Sequence, residues 1–242
     1  MAKVVISQPM YFPWYGHLEQ VKHCDVYVFL DDVQFSRGFL NRVQLKEGDR
    51  QRWMTVPLEG GESRKSINRH RPSTLEDWRG KHVSLFTRLY EGAPYFADSR
   101  KCLNRVLSNC DGNQSLAELS EESTKSMAQA FGLNQVAFVR SSSLGIPGTG
   151  TRRLIDICLA LGASSYITGH GASRYLDHEF FESHGIRVSY LAYGLKPYPQ
   201  LTGTDFVPYV SALDCIAMCG PRCDDYLTGS LVPWNEFVNR GQ

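Results

Sequence analysis

Short runs of β-branched and aromatic residues recur along this chain, each stopped by polar or turn-forming residues, and their alternation with helical stretches limits the folds open to it. Val4-Val5-Ile6, Val26 to Leu30, Val136 to Val139, Tyr166-Ile167-Thr168 and Val188 to Tyr193 have the character of buried strands. Between them, Gly16 to Lys22, Arg152 to Leu161 and Phe180 to His184 carry helical spacing. Strand, loop, helix and strand therefore repeat at both ends of the chain. The pattern predicts an α/β fold with a mostly parallel sheet flanked by helices, as a single domain over residues 1–242.

The middle of the chain is helical. Ser73 or Thr74 is expected to cap a helix running to Glu91, with Trp78, His82, Leu85 and Leu89 on one stripe. Ser99 to Leu107 and Leu116 to Phe131 follow, the latter stopping at Gly132. Residues 73–132 are thus predicted to form a helical insertion over the face of the sheet. A hairpin is expected before it, pairing Val43-Gln44-Leu45 with the strand around Trp53 across Glu47-Gly48-Asp49. A final helix is expected near Ser211 to Met218.

With 26 Lys+Arg against 25 Asp+Glu the formal charge is only +1, so binding of polyanions by bulk charge is not expected. No apolar stretch approaches the roughly 20 residues of a bilayer span. The N-terminal apolar run lasts only three residues before Ser7-Gln8-Pro9, unlike a secretory signal, and a cytoplasmic location is expected. The seven cysteines are read as thiols. Cys215, Cys219 and Cys223 are spaced by four, but Gly220-Pro221 interrupts their helix, so no metal site is expected and a nucleophilic Cys219 is a minor alternative.

In open α/β sheets ligands bind beyond the carboxyl ends of the strands. That rule nominates Gln8 to His17, Asp31 to Arg42, Ser141 to Thr151 and Thr168 to Tyr175. In the first, Tyr11, Phe12 and Trp14, held by Pro9 and Pro13, either hold a planar or sugar-like ligand or cap the core. His17 near a helix start is a weak signal for phosphate contact. Of the adjacent carboxylates Asp31 and Asp32, strand alternation lets one face a cleft, and Asp32 is the choice, as a general base or a Mg²⁺ ligand; a turn-forming pair is the competing explanation. Gln34, Asn41 and Arg42 follow, Arg42 suited to a phosphate or carboxylate. Ser142 and Ser143, with the glycines at 145, 148 and 150, suit an anion or oxyanion, although no Gly-Lys-Ser/Thr phosphate loop is present. His170 between two glycines could act as a base or orient a carbonyl, or be an ordinary loop histidine.

Taken together, these residues resemble the WbqC-like proteins of bacterial surface-polysaccharide and related gene clusters. The resemblance is carried by Gln8-Pro9, Tyr11 to Trp14 and Gly16, by Asp31-Asp32-Val33-Gln34-Phe35 and Asn41-Arg42, and by Trp53 to Pro57. Tyr90 with Ala93 to Phe96, Ser142-Ser143, Leu161 to Ala163, Tyr166, Gly169 and Tyr175-Leu176-Asp177 extend it. Ser211, Leu213-Asp214 and Cys219-Gly220 complete it. What it implies is transfer of glycine or another amino acid to an amino sugar, forming an amide.

The expected protein is therefore an aminoacyl or acyl transferase, with Asp32 or His170 taking the acceptor's proton and Ser142 and Ser143 stabilising the oxyanion. Gln8, Tyr11, Phe12, Trp14, His17, Gln34, Asn41, Arg42 and Tyr175 would bind substrate. Its expected partners are an amine or sugar-nucleotide acceptor and an acyl- or peptidyl-carrier protein or aminoacyl-tRNA as donor, with no membrane; no cofactor is identified. An ATP-dependent nucleotidyltransferase or ligase, and a non-catalytic sugar-nucleotide or carrier-binding protein, are the alternatives.

Overall fold

Successive side chains of a strand point to opposite faces, and β1 (Ala2–Ser7) buries both, with Val4 and Ile6 on one side and Val5 on the other. In the computed structural model, which describes residues 2–61, 64–110 and 112–240, this strand lies near the middle of a six-stranded sheet whose edge strands are more exposed. The remaining strands are β2 (Val26–Phe29), the hairpin pair β3 (Arg42–Glu47) and β4 (Arg50–Thr55), β5 (Ala137–Arg140), β6 (Ala163–Thr168), β7 (Arg187–Ala192) and β8 (Ser230–Pro233). The large sheet has the order β5-β2-β1-β6-β7-β8. All its neighbours are parallel except β7 and β8, which are antiparallel.

Helices cover both faces. Val5, Tyr27, Phe29 and Ile167 pack under α1 (Tyr15–His23), α2 (Trp78–Tyr90), α3 (Phe96–Ser108), α4 (Leu116–Ala130) and α8 (Ala212–Cys219). Val4, Ile6, Val28 and Tyr166 face the other way, onto α6 (Gly150–Ala160), α7 (His178–Ser183) and α9 (Trp234–Arg240). The short α5 (Ser141–Leu144) follows β5 directly. Residues 30–136 join two neighbouring parallel strands, β2 and β5, and carry both the hairpin and α2 to α4.

The hairpin has the anticipated position, with Val43 opposite Met54 and Gly48 at φ 62° in its turn. Helix α2 begins later than expected. The Ser73 hydroxyl accepts the Leu75 amide in a local turn, and Asp77 caps the helix by accepting from the Gly80 amide at 2.9 Å. Strand β8 and helix α9 had no counterpart in the sequence reading. Pro233 explains why: it interrupts a short apolar run, and the strand it ends is an edge strand, where proline is tolerated. Among the described residues no helix is long and apolar enough to cross a membrane.

Candidate functional site

The sheet order places the first strand beside the fourth member of the sheet, so the connections leaving β1 and β6 diverge to opposite faces and leave a crevice at their carboxyl ends. A cavity of about 560 Å³ opens there, lined by Ser7 and Gln8 after β1, Thr168 and Gly169 at the end of β6, Gln20 of α1 and Ser36 of the loop after β2. Leu30, Phe39, Leu40, Ala172 and Tyr175 supply its apolar walls. Gln8 makes no hydrogen bond to any described residue, so its carboxamide is available to a ligand. Gln20 donates to the Tyr193 hydroxyl at 2.8 Å, which fixes the amide at the back of the cavity. A smaller cavity of about 140 Å³ adjoins it, sharing Leu30 and Tyr175 and walled by Gly148, Thr149, Gly150 and Arg153.

Of the side chains nominated from sequence, Gln8 and Tyr175 line the main cavity. The first-loop rings mostly do not. Tyr11 and Phe12 are fully buried, Tyr11 bonding His82 Nδ1 through its hydroxyl at 2.9 Å and Phe12 taking φ 43° with its amide on the Ser123 hydroxyl. They cap the core, because burying such rings outweighs the cost of a left-handed backbone at one residue. Trp14 folds back over Gly16, where an added Cβ would collide with its ring, and packs on Tyr193 and Tyr209. His17 is interior as well: its Nε2 meets the Tyr27 hydroxyl at 2.6 Å, and burial pushes the imidazole down to about 4. A buried neutral ring inside α1 cannot contact a phosphate in the cleft.

Strand alternation does not separate Asp31 from Asp32, since β2 ends at Phe29 and both residues lie beyond it. Ser141 Oγ lies 3.1 Å from Asp31 and 2.6 Å from Asp32. Asp31 also accepts from the Ser142 amide and hydroxyl and from Asn68, so it is the better satisfied of the two. Arg153 pairs with Asp32 through one guanidinium nitrogen while its Nε donates to the Ile146 carbonyl. Desolvation raises the Asp32 carboxyl, but the Arg153 and Ser141 hydrogen bonds outweigh it and hold the group below the usual carboxylate range. Such a carboxylate is a weak proton acceptor near neutrality. The two serines proposed for the oxyanion are also engaged: Ser142 donates to Asp31 and Ser143 to the Arg140 carbonyl.

His170 lies between Gly169 and Gly171, which line the cavity, while its own ring turns toward Tyr193 and Phe237. Its Nε2 is 2.9 Å from the Leu191 carbonyl. A carbonyl only accepts, so Nε2 is the donor of this bond. Gln34 is exposed and pairs as an isolated bridge with Ser66. Asn41 is buried and donates to the Val56 carbonyl, with its Oδ1 unpartnered among the described atoms, which makes it a pin for the hairpin. Arg42 stacks on Trp53 at 4.4 Å and donates through Nε to the Gly38 carbonyl, on the loop that forms one cavity wall.

Sequence reasoning singled out neither the lining residues Ser7, Ser36, Phe39 and Thr168 nor the supporting Gln20, Tyr193 and Arg153. The signal for Gln20 was available, because α1 is buried on nearly every side and any polar residue in it needs a partner. Glu19 shows the same demand. Burial raises its carboxyl despite the Gly194, Thr228 and Gly229 amides that it accepts, and those bonds tie α1 to the ends of β7 and β8. In the cysteine segment, Cys219 is held below the ordinary thiol range by a hydrogen bond from Cys215, while Cys223 is pushed up to about 12 by burial. Among the described residues no group of His, Cys, Asp or Glu is arranged to hold a metal ion.

Comparison with known proteins adds a family and little chemistry. An uncharacterized protein of Mycobacterium tuberculosis, Rv1507c, is 28% identical over 232 residues, covering 94% of this chain and 98% of that one. No solved structure matches. The sequence profile of the WbqC-like protein family matches residues 8–226, which contain the candidate site residues described above except Ser7, and the chain belongs to that family.

Proposed function

We propose that the protein is an aminoacyl or acyl transferase that joins an activated amino acid, such as glycine, to the amine of an amino-sugar acceptor held in the crevice between β1 and β6. The observation that supports this most is the lining of that crevice, in which Ser7, Gln8, Gln20, Ser36 and Thr168 offer hydroxyl and amide groups matched to a polyhydroxyl ligand. In the reaction the acceptor nitrogen bonds to the donor carbonyl carbon, and the carbon's bond to its carrier breaks. His170, whose ring lies behind the Gly169–Gly171 stretch of the crevice wall, takes the amine proton through a bridging water and returns it to the departing carrier group by the same route. The free Gln8 carboxamide donates to the developing oxyanion. Asp32, fixed by Arg153 and Ser141, is assigned to positioning the loop after β2, and its candidacy as the base passes to His170.

The test is mass spectrometry of amino-sugar acceptors incubated with aminoacyl thioester or aminoacyl-tRNA donors. The acceptor should gain one aminoacyl residue. His170→Ala should lower kcat by about 10²-fold, the lower end for general base catalysis, with a smaller effect on acceptor KM. Acceptor binding without turnover in any donor would instead mark a binding protein.

An ATP-dependent nucleotidyltransferase or ligase is the second reading, favoured by the strand order, which is that of doubly wound nucleotide-binding sheets. The glycine-rich segment leading into α6 beside Arg153 adds to it. Pyrophosphate release from ATP and a free amino acid, with no preformed donor, would replace the first reading by this one.

A further inference from the structure

Phe39 and Tyr175 are 38% and 64% exposed, and both line the crevice, one from the loop after β2 and one from the segment after β6. Few large apolar side chains of this protein are as exposed. Trp53, 39% exposed, packs against Phe39 at 5.6 Å between ring centroids and carries the Arg42 guanidinium on its own ring. Arg42 Nε is tied to the Gly38 carbonyl at 3.1 Å, and no described carboxylate pairs with this guanidinium. The mouth of the crevice therefore presents aromatic rings, the Arg42 guanidinium lies behind one of them with its other N–H groups meeting no described acceptor, and the floor is hydroxyl and amide.

Exposed rings gathered at one opening are costly in water and mark a surface that a ligand covers. A ligand matching all three parts has a planar ring, a phosphate and a sugar. We propose that the crevice takes its acceptor in nucleotide-linked form, with the base stacked on Tyr175 and Phe39 and the phosphates drawn by Arg42. This rests on the acceptor-binding reading above and adds to it the class of carrier on the sugar. Stacking tolerates any base, because each has a π-face, so the platform selects for the presence of a base more than for its identity.

Calorimetric titration separates the parts. UMP, AMP and ribose 5-phosphate are the probes, with free glucosamine as a base-free and phosphate-free amino sugar. Both nucleotides should bind at least ten-fold more tightly than ribose 5-phosphate. Tyr175→Ala should weaken the nucleotides by about 5- to 150-fold, the range for loss of one base stack, and leave ribose 5-phosphate unchanged. Tyr175→Phe should restore binding, and Phe39→Ala should act in the same direction as Tyr175→Ala. Tyr175 is mostly exposed, so its variants should melt with the parent, which separates lost stacking from lost folding. Equal affinity for UMP and ribose 5-phosphate, or nucleotide binding indifferent to Tyr175→Ala, would overturn the stacking proposal while leaving an acceptor site if glucosamine still binds. No binding of any probe would overturn both.

Discussion

At the scale of single residues, the polar groups that the fold buries divide into those that serve the crevice and those that hold the core together. His17 and His82 belong to the second kind. Each is buried, one on Tyr27 and the other on Tyr11 and the Thr55 carbonyl, and burial holds both imidazoles at about 4 against 6.5 in an unfolded chain. Between those two values the unfolded state binds more protons, so stability rises with pH through that window. The contribution is fully present above about 6.5 and is lost as pH falls toward 4, roughly 3 kcal/mol for each ring at 1.36 kcal/mol per pH step. Urea unfolding at pH 7.5 and 4.5 should show this loss, and His82→Asn should remove about half of the difference. A profile flat from pH 7 to 4 would mean that these rings are not buried neutral.

The same scale shows why much of the site could not be read from the sequence. Tyr11, Phe12 and Trp14 looked equally suited to a ligand or to the core, and the choice depended on Ser123 and Tyr193, more than a hundred positions away. Strand alternation was the sole basis for choosing between Asp31 and Asp32, and it does not apply, because β2 stops two residues before Asp31. Gln8 was found because it follows β1 directly, where the strand end fixes the side chain, and Tyr175 because it closes the stretch that leaves β6. Arg153 had no signature apart from its partner Asp32, which lies on another loop.

Elements were more legible, and the errors have local causes. The parallel strands were recognisable because their apolar runs are continuous, as double burial demands. Helix α4 was legible from the apolar face beginning at Leu116 and from the stop at Gly132, and the structure adds a capping box of Ser115 and Glu118 at its start. The start of α2 was not, because Ser73 and Thr74 resemble caps as well as Asp77 does. Asp77→Ala should therefore destabilise the protein by about 1 kcal/mol in urea, while Thr74→Ala should cost a few tenths at most. A comparable loss in Thr74→Ala would move the helix start back to the position expected from sequence. Strand β8 had no comparable cue, being four residues long and closed by Pro233.

At the scale of the molecule, the long connection between β2 and β5 matters most for function. It places the loop that precedes the hairpin against the carboxyl end of a sheet whose strand order already opens a crevice there. One wall is thus supplied by the inserted segment, with Phe39 backed by the Arg42–Trp53 stack, and the other by the segment after β6, with Tyr175. The general fold was legible because alternating strands and helices admit few arrangements. The strand order was not, since nothing local to β2 announces that its next neighbour lies more than a hundred residues away.

The central claim is that a ligand enters between the ends of β1 and β6. Hydrogen–deuterium exchange of the protein with and without a saturating nucleotide-linked amino sugar tests it most directly. The account predicts slowed exchange in residues 7–10, 36–40 and 168–175, with little change across α3 and α4. Slowed exchange confined to the α3–α4 face, with the strand-end loops unaltered, would contradict it.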